Sequence, residues 1–373
     1  MSDVRDQHRD AMRFAERAKT ARISGLDEEA IELTRRAFEL ERAAAQSLLA
    51  SFDAEPTRSV LFRSAATLAL ECGELEEARR LAFQGLAGFP PKEIADEIHE
   101  IVEEGEFQKH LATRGVKLQP DEFQMSLVGP GVSTGIAPST AVLSRVESLK
   151  NLVFRTGERI AGMEYRSRGR RRQTIERDYE VFLSAPRAGS FTLSVHIGQP
   201  EQLSIPGLAK AELVVHELFD CFDLLESKPE EGLRERIGNE AYYANFVSLA
   251  RRIGPDGDSV RWVGLSSARG AESRHVELKT TPESSTVSDV TTGRVEEATE
   301  ETKVQGVLRW ADATKDAETV LIIDAEGRSH RVRIPPGVDD IVKPHWLDEV
   351  VVTGSRDRRG TILLKNIDPV PSR

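Results

Sequence analysis

Along the first 112 residues, apolar side chains recur at steps of three and four. Phe14, Ala18 and Ala21 are followed by Ala30, Leu33, Ala37 and Phe38, and later by Leu61, Ala65 and Leu68. That period gathers them on one face of successive helices. Gly25-Leu26-Asp27 and Gly73-Glu74-Leu75 interrupt the pattern, and acidic runs follow each break (Glu28 and Glu29; Glu76 and Glu77). Glycine can close a helix in the left-handed region, and carboxylates suit the positive N-terminus of the next helix. Residues 1–112 therefore predict two helical hairpins.

Small residues sit at the positions where paired helices must approach closely. Around Gly73 these are Ala66 and Ala69 before the turn and Ala78 and Ala82 after it, with Pro90 closing the unit. Around Gly25 they are Ala18, Ala21, Ala30 and Ala37, but Arg42 stands where proline would close it. In this the hairpins resemble tetratricopeptide repeats. The two turns lie further apart than that family's period of about 34 residues, so a lengthened second helix, through Glu41 to Leu49, is expected. A small helical bundle with similar packing is the alternative, because two repeats are fewer than a stack needs. The resemblance implies a surface for a protein partner.

The pattern changes after residue 112. Residues 113–138 read as a linker, since LVGPGVSTGIAP holds three glycines and two prolines. Ser139 is expected to cap a helix through Val142, Val146, Leu149, Leu152 and Val153. Strand-formers then alternate over Glu180–Ala185 and Ser190–Ile197 around an Arg187-Ala188-Gly189 turn. Helices near 209–226 and 239–252 and strands near 260–265 and 275–280 complete an α+β domain, 139–280. Residues 281–301 are polar, lack aromatics and read as a second linker or excursion.

From 302 to 373 five strand-like runs appear: KVQGVLRW, ETVLIID, RSHRVRIP, EVVVTGS and GTILLKNI. A segment of one or two helical turns, Gly337–Trp346, falls between the third and fourth. Three strands, a helix and two strands resemble the oligonucleotide/oligosaccharide-binding (OB) barrel; an SH3-like barrel is the alternative. The fold class expected is thus a multidomain α+β chain with tetratricopeptide-like helices first and a small barrel last. Residues 139–373 as a whole look like bacterial proteins of unassigned function that join these two parts.

Composition narrows the class. The 373 residues carry 51 Lys and Arg against 62 Asp and Glu, a net charge of −11, with 39% hydrophobic residues. Such a chain can build cores and is not collagen-like, disulfide-stapled or wholly disordered. Cys72 and Cys221 cannot form a zinc cluster alone. The charged start MSDVRDQHRD has no apolar stretch of a secretory signal. No apolar run approaches the roughly 18 residues of a membrane span. The expectation is a cytoplasmic protein without membrane contact.

Against this acidity, Arg166, Arg168, Arg170, Arg171 and Arg172 stand together. Guanidinium forks match phosphates, so the cluster is a candidate site for nucleic acid or another polyanion. A solvated loop, or one neutralised by Glu97, Glu100, Glu103, Glu104 and Glu106, is the alternative. Arg331 and Arg333 share one face of the third barrel strand and extend the candidate site, since OB-type domains bind ligands there.

Other motifs fail on chemistry. The loop Gly129–Gly135 has no lysine to reach a phosphate, and Pro130 removes an amide donor. His216-Glu217-Leu218-Phe219-Asp220 begins like a zinc-protease helix but puts Asp220 at the second histidine position. No nucleophile elbow occurs. No catalytic residue, metal or cofactor is assigned. The leading expectation is a non-catalytic interaction or scaffold protein; nucleic-acid binding comes second and an unrecognised enzyme third.

Overall fold

The computed structural model describes residues 2–113, 118–132, 136–167, 171–184, 191–198, 210–227, 230–269, 272–279, 301–312 and 319–370. The chain divides into two compact units, 1–115 and 116–373.

The first unit is helical: α1 (Ser2–Ile23), α2 (Asp27–Ser47), α3 (Thr57–Glu71), α4 (Leu75–Leu86) and α5 (Lys92–Thr113). α1 packs along α2 and α3 along α4, while α5 lies against both α3 and α4. The hairpin turns place Gly25 at φ 73° and Gly73 at φ 75°, a conformation costly for side chains with a Cβ. Ala18, Ala21, Ala30, Ala37, Ala66, Ala69, Ala78 and Ala82 are all buried. They let the helices approach closely, and Phe62, Leu81 and Ile98 fill the space between. The lengthened helix after Gly25 extends to Ser47.

Arg58 is the largest fully buried side chain of this unit, 1% exposed. It donates to the carbonyls of Gln84 (2.7 Å) and Gly85 (3.3 Å) and to Leu49 O (3.3 Å). Helix ends leave such carbonyls without helical partners, and the macrodipole makes that end negative. Arg58 thus caps the C-terminal end of α4, with Phe52 and Phe62 ring centroids 4.8 and 5.0 Å from its guanidinium carbon.

The second unit opens with β1 (Glu122–Val128), inside the stretch expected to be a linker. β1 is the middle strand of a five-stranded sheet ordered β2-β3-β1-β4-β5, every neighbouring pair antiparallel. The other strands are β2 (Val181–Leu183), β3 (Phe191–Ile197), β4 (Trp262–Arg269) and β5 (Glu272–Leu278). Alternation puts Phe123, Met125 and Leu127 in the core. The intervening Gln124 and Ser126 are buried too, and are paired across the ladder with Ser194 (3.2 Å) and Thr192 (3.0 Å). The turn expected at Arg187-Ala188-Gly189 lies outside the described residues.

Packed with this sheet are α6 (Ser139–Ile160), α7 (Gln173–Asp178), α8 (Lys210–Ser227), α9 (Glu230–Ile237) and α10 (Glu240–Ile253). Ser139 is the first residue of α6 rather than its cap; Pro138 takes the cap position, with no side-chain bond to the helix. At α10 Asn239 does cap, accepting from the amides of Ala241 and Tyr242.

The remaining strands are β6 (Glu301–Asp312), β7 (Thr319–Ile323), β8 (Ser329–Arg333), β9 (Glu349–Arg356) and β10 (Ile362–Pro369). They form a closed barrel ordered β10-β8-β7-β6-β9, with β8 and β10 parallel and the other pairs antiparallel. Between β8 and β9 comes the short α11 (Asp339–Val342), followed by a 3-10 turn, Lys343–His345. The architecture is mixed α+β with helices first and a five-stranded barrel last.

The α+β layer and the barrel share one continuous hydrophobic core. Gly337, at φ 94°, backs onto α10 so closely that a Cβ there would lie 2.2 Å from Ala241 O. Arg252 on α10 donates to Ile367 O, and its Nη1 lies 3.0 Å from His345 Nε2. The 281–301 excursion falls outside the described residues except for Glu301, the first residue of β6.

Candidate functional site

The charge chemistry of the second unit gathers where α6 meets α11. α6 packs Leu149, Leu152 and Val153 into the core, and Arg155 sits beside this apolar stripe with a side chain 7% exposed. A buried cation is tolerable only when its hydrogen bonds are all met. Arg155 grips Asp340 with Nε (2.7 Å) and Nη2 (3.1 Å), and Nη1 reaches Glu158 Oε2 and Arg166 O, both at 3.0 Å. The Tyr165 ring lies 4.5 Å from its guanidinium carbon.

α11 supplies a second layer. Tyr165 donates its hydroxyl to Asp339, Lys343 bridges Asp339 (2.6 Å) and Asp340 (3.1 Å), and Asn245 Nδ2 reaches Asp340 and Gly337 O, both at 3.0 Å. Burial disfavours an ionised Asp340, but the Arg155 hydrogen bonds and charge outweigh it and hold the acid below the usual carboxylate range. Asp339 moves the other way, raised by burial and by the neighbouring Asp340 charge. Burial and both carboxylates push the Tyr165 hydroxyl up. Two adjacent acids thus differ because only Asp340 takes two hydrogen bonds from the guanidinium fork, whereas Asp339 lies 3.6 Å from it.

This cluster forms one wall of an open cavity of about 610 Å³, lined also by Asn151 of α6, by Arg166, Ser167 and Arg171, and by Lys343 and Pro344. Of the arginines singled out in the sequence, the structure brings Arg166 and Arg171 to this cavity. Arg171 donates to Asn151 Oδ1 (2.5 Å) and stacks 4.6 Å from the Phe154 ring centre. Arg172 lines a separate cavity with Tyr179 and Lys210. Arg331 and Arg333 are exposed on β8, alternating with buried Val332. Arg168 and Arg170 lie outside the described residues. The described arginines therefore occupy three places. In the first, Arg155, Arg166, Arg171 and Lys343 are matched by Glu147, Glu158, Glu176 and Asp340.

The remaining motifs have structural partners. Gly131 of the glycine-rich loop donates to Ser259 O (3.2 Å); Ser133, Thr134 and Gly135 lie outside the described residues. On α8, Asp220 is held by Arg236 and by Arg274 at 2.6 Å. Burial and the Glu217 charge push the Cys221 thiol up to about 12, far from a ready nucleophile. Among the described residues, no group of three or more metal-ligating side chains is assembled, and no helix is long and apolar enough to cross a membrane.

Sequence reasoning passed over Arg155, Asp340, Tyr165 and Asn245. The available signal was one cation inside the apolar run Leu152-Val153-Phe154 and an acidic doublet opening α11. No protein-family model matches the chain, and no curated protein or solved structure matches it.

Proposed function

We propose that the chain is a non-catalytic interaction protein whose tetratricopeptide-like helical unit docks a protein partner through apolar anchor residues. The observation that carries this reading is the grouping of exposed phenylalanines, set beside a Trp346 that is 48% exposed in the second unit. Among the described residues, the three exposed phenylalanines, Phe52 (49%), Phe83 (52%) and Phe89 (84%), all fall in the helical unit. Phe83 and Phe89 lie in and just after the last turn of α4. Arg58 brings Phe52 to the same end, stacking on its ring while bonding to Gln84 O. Exposed aromatics grouped in this way are typical of binding surfaces.

The barrel would serve as a second module. An OB-like reading is supported by the parallel β8–β10 closure and by the short helix between β8 and β9. A nucleic-acid role has less support, because the cavity that holds Arg166 and Arg171 carries as many carboxylates as cations.

The test is affinity capture with the full chain, the F83S/F89S variant and the R166Q/R171Q variant. A protein retained by the wild type should be lost with F83S/F89S and kept with R166Q/R171Q. Retention by F83S/F89S, or no retained protein at all, would reject the reading.

A further inference from the structure

We propose that the open cavity beside β6 in the barrel binds a small organic anion, one with a carboxylate or phosphate head and a short apolar body. The inference is independent of the protein-docking reading.

The cavity follows from how β6 is paired. Its first half, 301–306, is matched only to β9, and β7 joins at Val307, opposite Ile323. At that vertex the two chains nearly touch, since a Cβ on Gly306 would lie 2.3 Å from Ile323 O. Beyond it a space of about 650 Å³ opens, lined by the run Thr302–Val307, by the β7–β8 turn and by Arg356 of β9. That volume falls within the range of small-molecule sites. Arg331 and Arg333, the barrel arginines that stand out in the sequence, are not part of the lining.

Charge is unevenly met in this lining. Asp324 Oδ2 accepts from Arg328 Nε and lies against His330 Nε2, both at 2.8 Å, and its Oδ1 accepts from the amides of Glu326 and Arg328. Glu326 is taken by Arg328 and Glu349 by Gln305, both at 2.9 Å. Each acid of the lining therefore has a partner. Arg356 does not: its Nε is buried without a hydrogen bond, and its guanidinium meets no acceptor among the described residues. A guanidinium carries five N–H donors and no acceptor, so its unmet demand is one that an oxyanion satisfies. Lys303, exposed on β6, adds a second cation to the lining, its charge also felt at Asp368.

The two ends of the cavity differ in polarity. Glu301 pairs with Ser355, so Arg356 falls at the start of β6, whereas Val307 pairs with Ile323 at the vertex. From Lys303 to Val307 the strand runs about 14 Å. A head bound at Arg356 and Lys303 would therefore direct an apolar body along β6 toward Val307 and Ile323, which the barrel leaves partly exposed. The turn that forms the far wall is fixed in advance by the Asp324 bonds, which reduces the ordering cost of binding.

The experiment is titration calorimetry on the full chain with octanoate and octyl phosphate, and with 1-octanol and inorganic phosphate as controls for the body and the head alone. At least one octyl anion should bind at least about tenfold more tightly than both controls, the difference expected for one charge-assisted hydrogen bond. The tighter of the two identifies the head. R356Q should weaken that binding by at least about tenfold. K303Q, at an exposed side chain, serves as the variant that leaves the fold intact and should weaken it by about threefold. R331Q, on β8 outside the cavity, should leave it unchanged. No binding of either octyl anion at millimolar concentration, binding no tighter than the controls, binding unchanged in R356Q or in K303Q, or an equal loss in R331Q would overturn the proposal.

Discussion

Two arginines, one in each unit, are buried by different means. Arg58 in the helical unit is met mainly by backbone carbonyls and two phenylalanine rings, with Glu55 at the edge of hydrogen-bond range at 3.4 Å. Arg155 in the second unit is met mainly by the carboxylates of Glu158, Asp339 and Asp340. The first neutralises the end of a helix and leaves little charge chemistry behind it. The second concentrates opposite charges, and several of those groups open onto a cavity. Where charge is met by dipoles, the surface is free to carry apolar anchors; where it is met by acids, a polar pocket results.

The comparison breaks most sharply if Arg155 is removed. Arg155→Ala leaves Asp340 and Glu158 buried without their cation, and about 3–5 kcal/mol of stability should be lost. Chemical denaturation monitored by the tryptophans checks this, since Trp262, Trp310 and Trp346 all belong to the second unit. Arg58→Ala should cost less, about 2–3 kcal/mol, because it unpairs neutral carbonyls rather than ionised acids. A helical transition seen by circular dichroism should shift while tryptophan fluorescence does not. Equal losses for the two variants would show that acids and dipoles hold these arginines alike.

Acid sharpens the contrast further, and two carboxylates report it with opposite signs. Asp340 is held below its ordinary value, burial being outweighed by Arg155 and Lys343. Its contribution is complete above the unfolded pKa of about 3.9 and is lost as pH falls through the lower folded value. Glu41 in α2 is raised by burial, which the hydrogen bond from His8 (2.9 Å) only partly offsets. Its contribution is present below the unfolded pKa of about 4.3 and is lost as pH rises through the folded value. Asp340→Asn should therefore flatten the loss of stability of the second unit below about pH 4. Glu41→Gln should flatten a change of opposite sign in the helical unit above about pH 4.3. A pH titration of both variants checks each slope. The smallest stability effect is expected for Phe89→Ser, within about 0.5 kcal/mol, since an exposed side chain contributes little to folding.

Local features of the fold were legible in the sequence. Three- and four-residue spacing located the helices through Ala37 and Leu68, and Gly25 and Gly73 marked turns whose backbone is indeed left-handed. Two-residue alternation located the five barrel strands, because Val332 and its neighbours face inward while Arg331 and Arg333 do not. β1 was hidden because its second face is polar. Gln124 and Ser126 read as loop residues until Ser194 and Thr192 arrive as partners from another strand. The ionic cluster was hidden by distance, since Arg155 and Asp340 are separated by 185 positions and neither lies in a motif. The arginine run was visible as composition, but only the fold separates Arg171 from Arg172.

The most direct test of the docking account is site-specific photo-crosslinking in cells, with benzoylphenylalanine placed at Phe89 or at Arg331. The account predicts a defined protein adduct from position 89 and none from position 331. An adduct from 331 with none from 89 would move the interaction surface to the barrel and contradict the role assigned to the helical unit.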